Sequence, residues 1–102
     1  MHGIVIEYAL SGDETAWREA VDTFLENIDG DPMLRGKFSY EVNASNDSGG
    51  RVHIGHWDSE ETLSHLQSQP FFKTFAEAVQ TFSGGNLKTT RIDRVTGTAS
   101  GQ

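Results

Sequence analysis

Apolar residues in this chain switch between the period of a strand and that of a helix in a fixed succession, and that succession restricts the fold more than any single motif. Residues 2–10 carry Ile4, Ile6, Tyr8 and Leu10 on one side and Val5 and Ala9 on the other, as in a central strand. Trp17, Ala20, Val21, Phe24, Leu25 and Ile28 then recur at steps of three and four, which predicts a helix over 13–27 with one buried face. Ser11 and Glu14 have capping-box spacing at its start, and Asp29-Gly30-Asp31-Pro32 stops it. Over 37–44, Phe38, Tyr40, Val42 and Ala44 alternate with polar residues, giving a strand with one buried face. The turn sequence Asn46-Asp47-Ser48-Gly49-Gly50 joins it as a hairpin to a strand at 51–57. Asp58 and Glu61 form a second N-cap pair. Leu63 and Leu66 begin a helical stretch, and Phe71, Phe72, Phe75, Ala76, Val79 and Phe82 continue it as an apolar stripe. Pro70 kinks that stretch or restarts it at a first helical position. After Ser83-Gly84-Gly85-Asn86 comes a last strand at 87–95, whose Lys88, Arg91 and Arg94 discourage edge pairing.

The order β-α-β-β-α-β is the split βαβ pattern of an α+β, ferredoxin-like domain. It predicts a four-stranded antiparallel sheet with the first and third strands central and two helices on one face. A chain of 102 residues holds one domain, placed at 1–96, with a small, polar, flexible tail at 97–102. The central strands bear apolar residues on both sides, more than one helix layer covers, so a homodimer through the free sheet face is expected.

Composition narrows the partners. The formal charge of −7 and only eight Lys and Arg argue against nucleic acid and against anionic membranes. No apolar run approaches the roughly 20 residues that span a bilayer. The absence of cysteine removes disulfides, thiolate metal sites and thiol catalysis. The start, Met1-His2-Gly3-Ile4, is unlike a signal peptide, so a cytoplasmic location is expected. What remains is a small-molecule site, a protein partner, or both. His53 and His56 lie three apart on one predicted strand and so point to opposite faces, which prevents them from chelating one ion. No metal is expected. The Ser-Gly-Gly turns lack a phosphate-binding lysine pattern, and Asp58, Glu60 and Glu61 read as acids at a helix start.

The segment from His53-Ile54-Gly55-His56-Trp57 through Val79 resembles the antibiotic-biosynthesis-monooxygenase (ABM) family. It has a Trp closing the third strand, an acidic helix start, His65 eight residues after that Trp, and then a Phe-rich stretch. Phe38-Ser39-Tyr40-Glu41-Val42 is similar to the family's second strand, and the resemblance spans about residues 4–95. It implies a dimeric α/β barrel, in which two sheets face each other and each subunit keeps a ligand cleft between sheet and helices. It also implies oxidation of quinol-like or phenolic compounds by O₂ with no cofactor. Such substrates give electrons to oxygen once deprotonated, so the protein supplies an apolar cleft, stabilises the phenolate and excludes water.

On this resemblance the small planar or hydrophobic ligand lies against Trp57, Tyr8, Tyr40, Phe71, Phe72 and Phe75. One of His53 and His56 enters the cleft, His56 as a ligand contact or His53 as a catalytic group, and His65 orients or deprotonates a phenolic hydroxyl. Two rival readings use the same scaffold: a non-catalytic dimer binding a hydrophobic metabolite, and an isomerase or decarboxylase with one His as base. Ala76 and Leu66 occupy the positions of the haem-degrading branch's axial His and its ruffling Trp, and Ile6, Glu7 and Tyr8 stand where that branch has an Asn, so no haem is expected. The polyketide-quinone oxygenases carry an Asn four residues before the strand Trp, where this chain has His53, and a helical Tyr where it has Leu63.

Overall fold

In the computed structural model, which describes residues 1–46 and 49–98, β1 (His2–Ala9) is hydrogen-bonded on both edges. It pairs antiparallel with β3 (Gly50–Trp57) on one side and with β4 (Lys88–Asp93) on the other, while β2 (Phe38–Ala44) pairs with β3. The order β2-β3-β1-β4 puts the strands that are apolar on both faces in the middle, as their sequences predict. Asp47 and Ser48 of the predicted turn, and residues 99–102 of the predicted tail, lie outside the described residues. Among the described residues no helix is long and apolar enough to cross a membrane.

The helices cover the face that carries Ile4, Ile6, Tyr8, Phe38, Tyr40, His53 and Trp57. α1 (Glu14–Asp29) turns Trp17, Val21, Phe24 and Ile28 toward it. Its cap is Asp13, which accepts from the Ala16 amide at 2.8 Å, not the expected Ser11. The Ser11 amide instead donates to the Phe82 carbonyl, and Gly12, at φ +104°, turns the chain so that Asp13 meets the helix start. The helical stretch after Trp57 is divided, giving three helices where two were expected. α2 (Glu60–Gln67) is capped by Ser59, which accepts from the Thr62 amide, while the Asp58 carboxylate accepts from the Thr62 hydroxyl. α3 (Pro70–Phe82) restarts at Pro70, whose missing N–H costs nothing at a first helical position. Phe24 of α1 stacks on Phe75 of α3 with centroids 3.8 Å apart, which ties the helix layer together above the sheet.

The other sheet face carries Val5, Val52, Ile54 and Ile92, half-buried and, among the described residues, beneath no helix, together with His56 beside Gly3.

Candidate functional site

Three strands and one helix bring four side chains into a line on the covered face. Ile6 pairs with His53 across β1 and β3, and Tyr40 pairs with Gly55 across β2 and β3. Gly55 is what lets Tyr40 cross β3, because a Cβ there would lie 2.9 Å from the Tyr40 ring. The Tyr40 hydroxyl thereby reaches His53 Nδ1 at 2.7 Å, and the Tyr8 hydroxyl reaches His53 Nε2 at 2.8 Å. Trp17 Nε1 donates to the Tyr8 hydroxyl oxygen at 2.7 Å. The Arg51 guanidinium, itself paired with Glu14, lies over the Trp17 ring at 4.6 Å and fixes its position.

Burial sets the charge states of this line. His53 is 0% exposed, and desolvation pushes its pKa down to about 4, so the imidazole is neutral near pH 7. Burial raises the Tyr40 phenol well above its ordinary range, with the nearby Tyr8 adding to the effect. It raises Tyr8 as well, against smaller opposing effects of the Trp17 hydrogen bond and the Arg51 charge. Both tyrosines therefore remain protonated and act as hydrogen-bonding groups, not bases.

Beside this line, between the sheet and α2 and α3, lies a cavity of about 290 Å³. Its walls are mainly apolar: Ile4, Ile6, Phe38, Trp57, Leu63, Leu66, Phe72, Phe75 and Val79 contribute. Tyr40, Gln67, Gln80 and Arg91 supply polar groups. The Arg91 guanidinium sits over the Trp57 ring at 4.9 Å, and Trp57 Nε1 has no hydrogen-bond partner among the described residues.

The structure sorts the residues singled out in the sequence. Tyr40, Trp57, Phe72 and Phe75 line the cavity, while Tyr8 and His53 join Tyr40 by hydrogen bonds without lining it. His53 and His56 do point to opposite faces, and His53 is the one on the helix side. His56 lies on the open face and is not a cleft contact. Phe71 turns instead to a groove between α1 and α3 that Ala16, Thr23 and Thr74 also line. His65 does not line the cavity either. Its Nε2 lies 2.7 Å from Asp31, in the segment after α1, and this bond holds the Asp31 carboxyl below the usual carboxylate range. Leu66, next along α2, takes the inward position. Replacing His65 by alanine is accordingly expected to leave ligand affinity in the cavity within about twofold and to cost about 1 kcal/mol of stability, measured by titration and urea unfolding. Trp17, Arg91, Gln67 and Gln80 also belong to the candidate site, though the sequence pattern marks none of them as a site residue. The signal for Trp17 was available, since it opens the same helical stripe as Val21 and Phe24. Arg91 was legible only as an edge-strand charge. Among the described residues no three His, Asp or Glu side chains gather into a metal-binding group.

No family profile and no curated protein matches the chain by sequence. Solved structures do match in three dimensions. Rv0793 from Mycobacterium tuberculosis superposes with a TM-score of 0.77 at 15% identity, over 96% of this chain and 98% of that one. SnoaB, a cofactor-independent oxygenase from Streptomyces nogalater, gives 0.76 at 14% identity over 96% of both chains. A candidate antibiotic biosynthesis monooxygenase from Nitrosomonas europaea gives 0.75 at 15% identity, over 94% of this chain and 100% of its own. The resemblance read from the sequence thus holds as a fold: the chain has the α+β architecture of the ABM-type proteins over 94–96% of its length.

Proposed function

We propose that this chain, built on the ABM-type fold, is a cofactor-independent monooxygenase that holds a quinol or phenolic compound in the cavity beneath Trp57. The observation that carries this reading is the cavity itself: about 290 Å³, aromatic and mainly apolar, with Tyr40 and Arg91 among the residues on its wall. A fold shared with SnoaB, a cofactor-independent oxygenase, supports it. The volume lies near the lower end for small-molecule sites, which suits a small fused-ring compound stacked on Trp57. A phenol with a free para carbon plus O₂ gives a para-quinone and water, a balance that needs no further reductant. In that reaction the phenol would enter as its phenolate, its proton passing to solvent and recovered in the water formed, Arg91 would stabilise the anion, and the apolar walls would keep water from the reactive intermediate. Purified protein is expected to consume O₂ with at least one member of a panel of naphthols and other fused-ring phenols with a free para carbon, faster than the buffer does. An oxygen electrode reads this directly, and rates equal to buffer across the panel would contradict it.

A second reading, a binding protein without catalysis, is favoured by one observation: no histidine lines the cavity, and His53 is held neutral. Ligand binding without oxygen uptake is its signature. The reading as an isomerase or decarboxylase needs a histidine base at the ligand, and that same observation gives it no support.

Two copies would pair through the open sheet face, where Val5, Val52, Ile54 and Ile92 offer apolar surface that no helix of the same chain covers. Light scattering at micromolar concentration should give about twice the 11.2 kDa chain mass; a clean monomer would contradict the pairing.

A further inference from the structure

We infer that Tyr40 donates a hydrogen bond to an acceptor oxygen of the bound ligand, and that Trp17, Tyr8 and His53 form a one-way chain holding it in that role. This rests on the reading of the cavity as the ligand site. It goes further in naming the group that meets the ligand, the atom of the ligand it meets, and three positioning residues behind it.

The argument is a count of hydrogens. An indole N–H can only donate, so Trp17 makes the Tyr8 oxygen an acceptor. The Tyr8 hydrogen then needs an acceptor of its own at a position only 5% exposed, and among the described residues His53 Nε2 is the one within reach. A neutral imidazole that accepts at Nε2 carries its hydrogen on Nδ1. That hydrogen goes to the Tyr40 oxygen. The Tyr40 hydrogen is left with no acceptor among the described residues, on a side chain that lines the cavity. With the hydrogen on Nε2 instead, Tyr8 would accept twice and its own hydrogen would be sealed in without a partner, which is costly for a buried donor. Every bond in the line then runs the same way, from Trp17 through Tyr8 and His53 to Tyr40.

The chain also explains why His53 is a histidine. A neutral imidazole passes a hydrogen bond between two hydroxyls that lie 2.8 and 2.7 Å from its two nitrogens, accepting at one end and donating at the other. Burial keeps it neutral, and burial keeps Tyr40 protonated, so the site offers a donor and no base. The ligand atom that suits Tyr40 is therefore a carbonyl or phenolate oxygen on a planar apolar body. As negative charge grows on that oxygen, the bond strengthens, which makes Tyr40 a catalytic residue of the proposed oxidation and the three behind it positioning residues.

Two measurements on the full chain test this. Histidine-selective ¹⁵N labelling at neutral pH should show His53 protonated on Nδ1 and bare on Nε2. The opposite tautomer, or an imidazolium, would overturn the chain even if no variant folds. Amide-shift titrations with indanone and with indane, the same skeleton without the carbonyl, should show the ketone bound about tenfold more tightly. Tyr40→Phe should cut that preference to about twofold or less while indane affinity is retained. Tyr8→Phe, which touches no cavity wall, should cut the preference in part and disturb the Nδ1–H signal. Equal affinity of wild type for the two probes, or an undiminished preference in Tyr40→Phe, would sink the inference and leave the cavity reading standing. Failure of wild type to bind either probe would sink both.

Discussion

Replacing Trp57 with alanine is expected to destabilise the protein by about 3–5 kcal/mol and to remove ligand binding at the same time. The residue is 1% exposed at the end of β3, and its ring lies nearly parallel to that of Phe38, with centroids 5.9 Å apart and an interplanar angle of 8°. The Arg91 guanidinium covers the indole at 4.9 Å. Truncation would leave the Phe38 ring without its stacking partner and open a wall of the cavity. A domain of this size holds only about 5–15 kcal/mol in total, so the loss is a large share. Trp57→Phe should cost much less, because the indole N–H has no partner to lose. Urea unfolding would measure both through the midpoint, at unchanged denaturant slope. A shift below about 1 kcal/mol for the alanine variant would show that the ring does not hold this end of the core together.

The second large effect is on the pH dependence of stability, and it comes from His53. Its pKa of about 4 in the folded protein lies below the ordinary 6.5, so between those values the unfolded chain binds a proton that the native state refuses. Stability should therefore be highest above about pH 6.5 and fall as pH drops through this window, levelling near pH 4. The gap corresponds to about 3 kcal/mol. Asp31 and Asp58, both held below their ordinary range, act in the same direction at lower pH: the stability they contribute is present above the unfolded carboxylate value and lost as pH falls through their folded ones. Since these carboxylates remain in a His53→Gln variant, the difference between the two profiles isolates the imidazole. The variant should be less stable at pH 7, because glutamine fits the two hydroxyls poorly, yet lose much less between pH 7 and pH 4. Parallel profiles would contradict the account.

Much of the fold was legible because it follows from period and punctuation. Apolar residues on both faces of β1 place it centrally, and the three-residue spacing of His53 and His56 puts them on opposite faces. Boundaries shifted where a local competitor won. Gly12 moved the first helix cap from Ser11 to Asp13, and Pro70 divided a helical stretch that its apolar stripe alone reads as continuous. The site was less legible. The resemblance turns His65 toward the ligand, but one residue along a helix is a rotation of about 100°, and with Leu66 turned inward the imidazole meets Asp31. The Trp17–Tyr8–His53–Tyr40 line depends on strand register, on Ile6 facing His53 and Tyr40 facing Gly55, and nothing in the linear order of residues states those pairings. Arg91 shows the same limit. Its register opposite Ile4 turns an edge-strand charge into the cation over Trp57.

The central claim, that this cavity carries out the oxygenation of a phenolic ring, is tested most directly by the fate of labelled oxygen. Protein freed of metal and flavin would be supplied with ¹⁸O₂ and the best substrate from the panel of phenols with a free para carbon, and the product analysed by mass spectrometry. The account predicts one ¹⁸O atom in each quinone and the other in water, and loss of that incorporation in Trp57→Ala. Quinone formed with no label, or label incorporated equally without the protein, would contradict it.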